Sequence, residues 1–161
     1  MSQRIISQIS QLFAAGRFAE ADKLCLAAAQ TSPGDGMIPA FRGAIKLELG
    51  DIKSAVVFLS KAISVDPGNA TAHFNLGVAQ KKLMQLEAAI ASFRTALGLA
   101  GPTPVILTAI GLTELARGRS AEAAMILEQA ARKDVRNKRE SVSMAAAKSG
   151  DITASPSDVF D

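Results

Sequence analysis

Residues 70–103 read ATAHFNLGVAQKKLMQLEAAIASFRTALGLAGPT. Apolar residues recur within this stretch at intervals of three and four, which is the spacing of helices that bury one face. Met84 stands at a turn between two such segments. The stretch therefore predicts two amphipathic helices joined by a short connection.

The pattern of this stretch recurs along the chain with a step of 34 residues. One alanine series occupies positions 21, 55, 89 and 123, and a second occupies positions 28, 62, 96 and 130. A repeat of this length means that one supersecondary unit is stacked on its neighbours, because a single unit cannot bury its apolar face alone. We place four units at residues 2–35, 36–69, 70–103 and 104–137.

Small residues mark the places where the two helices of a unit are expected to approach closely. Three glycines keep the 34-residue step, as do three bulky residues: Gly43, Gly77 and Gly111, and Leu59, Phe93 and Leu127. We expect small side chains to face each other across the pair, because a larger residue would push the helices apart. Ile9 replaces the small residue in the first unit, which predicts a wider or differently tilted pair there.

Turn and stop signals separate the predicted helices. Glycines are expected to end the first helices in a left-handed conformation, and they are Gly16, Gly50 and Gly118. Met84 takes the place of the turn glycine in the third unit. Pro33 and Pro67 are expected to stop the second helices, because proline lacks the backbone donor and clashes with the preceding turn.

The residues of the third unit resemble the tetratricopeptide repeat, a family of stacked helical hairpins that bind other proteins. The positions that carry the resemblance are Ala72, His73, Phe74, Asn75, Leu76, Gly77, Ala89, Phe93 and Ala96. The resemblance implies an all-α fold, a right-handed α-solenoid of stacked antiparallel helix pairs with about nine helices. The chain departs from the family pattern in having neither tryptophan nor tyrosine.

The end of the chain differs from the four units. Residues 138–148 look like the first helix of a fifth unit that lacks its second helix, and we interpret them as a capping helix with the polar outer face that a terminal repeat needs. A tetratricopeptide repeat domain is thus expected over residues 1–150. Residues 151–161 show no helical period and are expected to form a disordered tail.

Catalytic and cofactor-binding signatures are missing from the sequence. Cys25 is the only cysteine and His73 the only histidine, and they fall two units apart, too far for a thiolate–imidazole pair. Neither a glycine-rich phosphate loop nor a metal-ligand spacing occurs. Carboxylates near the starts of second helices are interpreted as helix caps, and they are Glu20, Asp22, Glu87 and Glu122. We therefore expect no enzyme activity, no cofactor and no metal.

The composition bounds the location of the protein. Its 161 residues contain no apolar run of about 18 or more residues, the length that a membrane span needs. The single cysteine cannot form an internal disulfide. We expect a cytoplasmic protein without a membrane span.

The net charge of +3 is unevenly distributed, because cations cluster near the end of the fourth unit. They are Arg132, Lys133, Arg136, Lys138 and Arg139. Such a cluster suits phosphate groups of nucleic acid or of a membrane surface. It equally suits a solvated helix end, and no aromatic residues stand among the cations to stack on bases. We favour the solvated helix end and do not expect a nucleic-acid partner.

In proteins that this chain resembles, the first helices line a concave groove. The positions that correspond to the groove are mainly apolar with one lysine pair, and they include Ile6, Phe13, Met37, Ala40, Ala44, Leu47, Glu48, Thr71, Phe74, Val78, Lys81, Lys82, Val105, Thr108, Leu112 and Leu115. Contiguous exposed apolar surface marks binding sites, and an amphipathic helix or an extended apolar segment fits such a groove. The alternative interpretation is that these residues pack between neighbouring first helices.

One subclass of the family captures acidic C-terminal tails with lysine, arginine and asparagine at several first-helix positions. The corresponding positions here hold Ile6, Ser10, Phe41, Thr71 and Asn75 in one frame, and Ala40, Ala44, Asn75, Val105 and Ala109 in the next. Asparagine alone among them matches that requirement. We do not expect a carboxylate clamp of this kind.

The leading hypothesis is a non-catalytic adaptor, scaffold or small chaperone that binds an apolar or amphipathic segment of another protein in its groove. The identity of that protein or peptide does not follow from the sequence. A second interpretation is a recruitment or regulatory module of an enzyme assembly whose catalytic part lies on another chain. A third is a scaffold that self-associates as a homo-oligomer by burying the groove against a second copy.

Overall fold

The computed structural model describes residues 3–32 and 34–149, and within these residues the chain forms eight α-helices and no strand. The helices are α1 (Gln3–Ala14), α2 (Phe18–Thr31), α3 (Met37–Glu48), α4 (Ile52–Val65), α5 (Ala70–Lys82), α6 (Leu86–Ala100), α7 (Pro104–Ala116) and α8 (Ser120–Ser149). The prediction of an all-α fold of stacked helix pairs is confirmed.

The helices form two layers that differ in how closely their members approach. Each first helix (α1, α3, α5 or α7) packs on the second helix that follows it (α2, α4, α6 or α8), and α1, α3 and α5 also pack on the next first helix. Within the described residues, no second helix packs on another second helix. Because neighbouring units are closer on the side of the first helices, the stack curves around that side. The first helices therefore line the concave face.

The close approach within a helix pair depends on a glycine that faces a large side chain. A Cβ atom built on Gly43 would clash with Cγ of Leu59, and one on Gly111 would lie 2.7 Å from Cγ of Leu127. The expectation that small residues face each other is therefore wrong at these positions. The missing Cβ of glycine makes room for a leucine or a phenylalanine, which is how the pair stays both close and filled.

In the first pair the sizes are exchanged, and α1 and α2 approach each other less closely than the helices of the other pairs, as Ile9 predicts. Ile9 takes the place of the glycine, and Cys25 takes the place of the leucine or phenylalanine. Both residues belong to one core cluster and are 0% exposed. A large residue on α1 is thus matched by a small one on α2, and such a volume-conserving exchange costs little in a packed core.

The connections follow the predicted turn chemistry. Gly16, Gly50 and Gly118 have φ angles of 72°, 78° and 80°, in the left-handed region. Met84 adopts the same conformation with φ 60°, the only positive φ of a non-glycine residue within the described chain. The turn of the third unit is therefore the same turn with a residue that is less suited to it, because a left-handed conformation brings Cβ against the backbone.

Three helices start at a side chain that accepts a hydrogen bond from a backbone N–H three residues on. At the start of α4, Asp51 accepts from the Ser54 N–H. At the starts of α5 and α7, Asn69 accepts from the Ala72 N–H and Thr103 from the Ile106 N–H. These are ordinary N-caps, which satisfy one of the unpaired donors of the first turn. Pro67 follows the end of α4, as expected, whereas Pro33 lies outside the described residues.

The C-terminal part of the fold departs from the prediction. Residues 138–148 are not a separate capping helix, because α8 runs without interruption from Ser120 to Ser149, and the described chain has eight helices rather than nine. Neither glycine nor proline occurs inside α8, so nothing in the sequence ends the helix between the two expected segments. Ion pairs four residues apart join Arg136 to Glu140 and Lys138 to Asp134 across the expected break. The expected tail, residues 151–161, lies outside the described residues.

Candidate functional site

The concave face carries two hollows that are lined by first helices. The large hollow has a volume of about 810 Å³ and lies across α1, α3 and α5, where it is lined by Phe13, Met37, Ala40, Phe41, Ala44, Leu47, Glu48, Asn69, Thr71, Phe74 and Asn75. The small hollow has a volume of about 500 Å³ and is lined mainly by α5 and α7, through Val78, Lys81, Lys82, Phe93, Val105, Thr108, Ala109 and Leu112. Phe74 and Val78 are one turn apart on α5, so the two hollows adjoin.

Two aromatic side chains that line the large hollow each pack against a second aromatic ring. The Phe74 ring packs on the Phe93 ring with centroids 5.4 Å apart and an interplanar angle of 48°. Phe13 packs edge-on against Phe18, also with centroids 5.4 Å apart. Both Phe13 and Phe74 are half-buried, so one side of each ring belongs to the core and the other to the hollow. The apolar lining is therefore preformed, which lowers the cost of ordering it around a ligand.

Other apolar side chains of the groove are open to solvent. Met37 is 43% exposed at the start of α3, Val105 is 65% exposed and Leu112 is 43% exposed on α7. They do not complete a helix–helix contact in the way that the buried Ile106 and Ile110 of α7 do. The groove thus contains apolar surface that the fold itself leaves uncovered.

The structure brings together most, but not all, of the residues predicted to line the groove. Phe13, Met37, Leu47 and Phe74 lie in the large hollow, and Val78, Lys81, Lys82, Val105, Thr108 and Leu112 lie in the small hollow. Ile6 lines neither hollow, and neither does Leu115, which is 48% exposed near the end of α7. That any of these residues binds a partner stays a prediction.

Sequence reasoning missed three residues of the large hollow. Phe41 lies one turn after Met37 on α3, and this spacing could have placed it there. Asn69 and Asn75 add amide groups at the edge of an apolar lining. Asn69 is also the N-cap of α5, so part of its hydrogen-bonding capacity is already used by the Ala72 N–H.

The isolated cysteine and histidine do not form a site. Cys25 is fully buried on α2, and burial raises the pKa of its thiol to about 11. Nε2 of His73 on α5 lies 3.0 Å from the Pro67 carbonyl oxygen. The described parts of α2 and α5 do not contact each other. Across residues 3–32 and 34–149, no group of three or more His, Cys, Asp or Glu side chains is placed to hold a metal ion.

The carboxylates predicted to be caps make ion pairs instead. Asp22 on α2 accepts from Nε of Arg42 at 2.9 Å and from Nζ of Lys46 at 2.8 Å, both on α3. Burial of Asp22 opposes its ionisation, but the hydrogen bonds from Lys46 and Arg42 outweigh burial and hold its pKa below the ordinary value. The cap interpretation is thus wrong for Asp22, which instead ties the first unit to the second.

The remaining predicted caps follow the same rule. Glu20 pairs with Arg17, while Glu87 pairs with Arg117 and Glu122 with Arg94 and Arg119. The N-cap residues of α2 and α6 are Arg17 and Gln85, and neither makes a side-chain cap hydrogen bond. The carboxylates still lie in the first turns of their helices, where the dipole favours negative charge.

A buried carboxylate joins the third unit to the fourth. Glu114 on α7 is 0% exposed, and its Oε2 accepts from Nη1 of Arg117 at 3.0 Å. Its Oε1 lies 3.6 Å from Nη2 of Arg94 on α6, an ion-pair distance that is too long for a hydrogen bond. Two guanidinium groups therefore compensate one buried charge, which is what allows the carboxylate to be buried.

Several cations of the basic cluster form ion pairs with carboxylates of the same helix, α8. Arg132 pairs with Glu128 at 2.7 Å, and Lys138 pairs with Asp134 at 3.0 Å. Arg136 pairs with Glu140 at 2.8 Å. These pairs are exposed, as expected for a solvated helix surface. No helix within the described residues has both the length and the apolar character needed to cross a membrane.

Comparison with known proteins finds family models that match part of the chain. A model of the TPR repeat matches residues 43–83, and a model of the tetratricopeptide repeat matches residues 70–102. No curated protein sequence matches the chain.

Several solved structures share the arrangement of helices. One is MamA MSR-1 C2, which is 25% identical to this chain and matches with a TM-score of 0.68 over 78% of this chain and 72% of that one. Another is a crystal structure of MamA, with 15% identity and a TM-score of 0.76 over 85% and 80% of the two chains. A third is MamA 41-end from Desulfovibrio magneticus RS-1, with 19% identity and a TM-score of 0.75 over 83% and 76%. The last two likenesses concern the fold alone.

Proposed function

We propose that this chain, which repeat models match over residues 43–83 and 70–102, is a tetratricopeptide repeat protein and a non-catalytic module that binds an apolar or amphipathic segment of a partner protein in its concave groove. Tetratricopeptide repeats are protein–protein interaction modules, and their stacked helices create an extended concave surface. An adaptor, a scaffold and a small chaperone all use such a surface in this way. The finer proposal concerns which part of this surface binds and what it takes.

The large hollow is the observation that carries the proposal. Its volume of about 810 Å³ falls in the range of ligand-binding clefts, and most of its lining is apolar. Phe13 and Phe74 present half-buried rings there, and Met37 adds an exposed thioether side chain. Methionine adapts to irregular partners, and rigid aromatic rings supply contact area at a low cost in conformational entropy.

The small hollow extends this surface along the stack. It adds the exposed Val105 and Leu112 beyond Phe74, so an occupant can contact four neighbouring first helices in turn. An amphipathic helix or an extended segment gains affinity by placing successive apolar residues in such hollows. Burial of each apolar side chain then contributes through the hydrophobic effect.

The test is a selection from a random displayed peptide library on the immobilised protein. The selected peptides are then measured by fluorescence polarisation against the wild type and against a Met37→Glu/Leu112→Glu variant. Both positions are 43% exposed, so the variant changes the groove with little effect on the core. We expect apolar peptides to be selected and the variant to bind them at least about tenfold more weakly, because each carboxylate would be desolvated by the peptide.

A matched control carries the same charges on the second-helix layer. Val57 and Val65 of α4 are 66% and 46% exposed, and a Val57→Glu/Val65→Glu variant should bind as the wild type does. Circular dichroism is used to check that all three proteins have the same helicity. Equal binding by the groove variant and the wild type would overturn the proposed site.

A further inference from the structure

The charged residues of the groove are segregated between its two hollows. In the large hollow, the charged residue among the lining is Glu48, near the end of α3. In the small hollow, the charged residues are Lys81 and Lys82, at the end of α5. Glu48 and Lys82 occupy the same place in successive units, 34 residues apart. The groove therefore has a negative part and a positive part along the direction in which the units are stacked.

The two lysines are not neutralised by the fold. Within the described residues, neither Lys81 nor Lys82 has a carboxylate oxygen within 4.0 Å. The cations of the preceding first helix behave differently, because Arg42 and Lys46 are both bound to Asp22. Lys81 is also half-buried beside Val78, which places its charge against apolar surface.

A role in helix termination does not account for this pair by itself. Cations in a last turn stabilise a helix through its dipole, and Lys81 and Lys82 lie in the last turn of α5. The equivalent positions of α7 hold Leu115 and Ala116, and α7 has no basic residue in its last turn. A first helix of this stack therefore does not need cations at these positions in order to end. In α5, two lysines at these positions line the small hollow.

We infer that the groove takes an amphipathic segment of another protein in one orientation, with apolar residues in the large hollow and acidic residues at Lys81 and Lys82. This inference rests on the proposed function, since it specifies the chemistry of the same occupant. Charge complementarity with the lysine pair selects the acidic residues, and Glu48 disfavours their placement at the other end. Each exposed ammonium–carboxylate pair changes affinity by about twofold to fivefold, so two pairs amount to about tenfold.

The arrangement differs from a clamp around a terminal carboxylate. The two ammonium groups belong to neighbouring residues at one helix end, beside Val105 and Leu112 of the next first helix. They are suited to acidic side chains that follow an apolar stretch within a segment. The orientation of the bound segment is therefore set by its own charge pattern.

The experiment repeats the library selection on three proteins: the wild type, a Lys81→Glu/Lys82→Glu variant, and a control with Lys53→Glu/Lys61→Glu. The control places the same charges on α4, at two exposed lysines of the second-helix layer. We expect the wild type and the control to enrich peptides in which Asp or Glu adjoins an apolar stretch. The groove variant should enrich Lys or Arg at those positions instead.

Measured affinities give the second readout. An acidic peptide selected on the wild type should bind the Lys81→Gln/Lys82→Gln variant about tenfold more weakly, and raising the salt from about 50 to 300 mM should weaken its binding to the wild type alone. The glutamine variant keeps side-chain size, so it remains informative if the glutamate variant is unstable. A version of the peptide with glutamines for its acidic residues should bind both proteins equally.

The two proposals fail in different ways. If apolar peptides are enriched and lost in the Met37→Glu/Leu112→Glu variant, but show neither an acidic bias nor a response to the lysine substitutions, the inference is overturned and the proposed function stands. If the enriched peptides do not depend on Met37 and Leu112 at all, both are overturned.

Discussion

Gly77 and Phe93 are packed so closely that a Cβ atom on Gly77 would lie 2.6 Å from Cδ1 and from Cε1 of the Phe93 ring. The ring is 1% exposed and also packs on Phe74, which lies on the same helix as Gly77, with ring centroids 5.4 Å apart, so it has little room to move. This contact sets the distance between α5 and α6. It also places Phe74, whose outer side lines the large hollow.

We therefore expect Gly77→Ala to destabilise the protein, although alanine is the better helix former. Overpacking of a filled core costs about 1–3 kcal/mol and outweighs a gain of about 1 kcal/mol in helix propensity. The measurement is the free energy of unfolding in urea. Gly98→Ala is the control, because no atom lies within 4 Å of its Cβ position on α6, and it should stabilise the protein by about 0.5–1 kcal/mol. A stabilised Gly77→Ala variant would contradict the close contact.

Met84→Gly should stabilise the protein by about 0.5–1 kcal/mol, because glycine adopts a φ of 60° without the strain that a Cβ atom brings. Little packing is lost, since the Met84 side chain is 73% exposed. Thermal unfolding followed by circular dichroism measures the effect. The reverse change, Gly50→Ala, has open space around its Cβ position and a φ of 78°, so it should destabilise by about 1 kcal/mol through strain alone. No change in either variant would refute a left-handed turn at these positions.

The ion pairs of Asp22 should make stability depend on pH in the acidic range. The pKa of this carboxylate is lower in the folded chain than in the unfolded one, so its contribution is complete above pH about 4 and is lost as the pH falls through the lowered folded pKa. Asp22→Asn should cost about 1–3 kcal/mol at neutral pH, because it leaves Arg42 and Lys46 with a weaker acceptor. Urea unfolding of both proteins at a series of pH values is the measurement.

The difference in unfolding free energy between wild type and Asp22→Asn should shrink as the pH is lowered below about 4. A constant difference for Asp22→Asn at every pH would show that its carboxylate does not act through charge.

Cys25 should resist alkylation by iodoacetamide in the native protein. Burial raises the pKa of its thiol to about 11, so almost no thiolate is present at pH 8, and the side chain is 0% exposed. We expect labelling to be at least about 100-fold slower than in urea, because it requires local unfolding. The control is Cys25→Ala/Leu26→Cys, which moves the thiol to a position on α2 where the native side chain is 46% exposed. Rapid native labelling of Cys25 itself would contradict its burial.

The helices could be predicted because their signals are local and repeated. A step of 34 residues places glycine, alanine and bulky residues at the same point of every unit, and turn glycines such as Gly50 act through their own φ angle. Where the local signal is absent, the prediction was wrong. The expected break before residue 138 rested on the family pattern alone, and the uninterrupted helix formers of α8 override it.

Contacts between units were beyond the reach of the sequence. Asp22 finds Arg42 and Lys46 at separations of 20 and 24 residues, and these pairings depend on how one helix pair is set against the next. The same holds for the groove. Its apolar positions follow from the repeat, but the sequence did not show that Ile6 and Leu115 would lie outside both hollows.

The length of α8 places its C-terminal end far from the concave face. Gly111 of α7 lies opposite Leu127, so the start of α7 is reached near residue 134 of α8. The remaining turns up to Ser149 then carry the chain about 22 Å further at 1.5 Å per residue. A fluorophore or an affinity tag attached at the end of α8 would thus be held away from Met37 and Leu112, which makes this end the natural anchoring point for immobilising the protein with its concave face free.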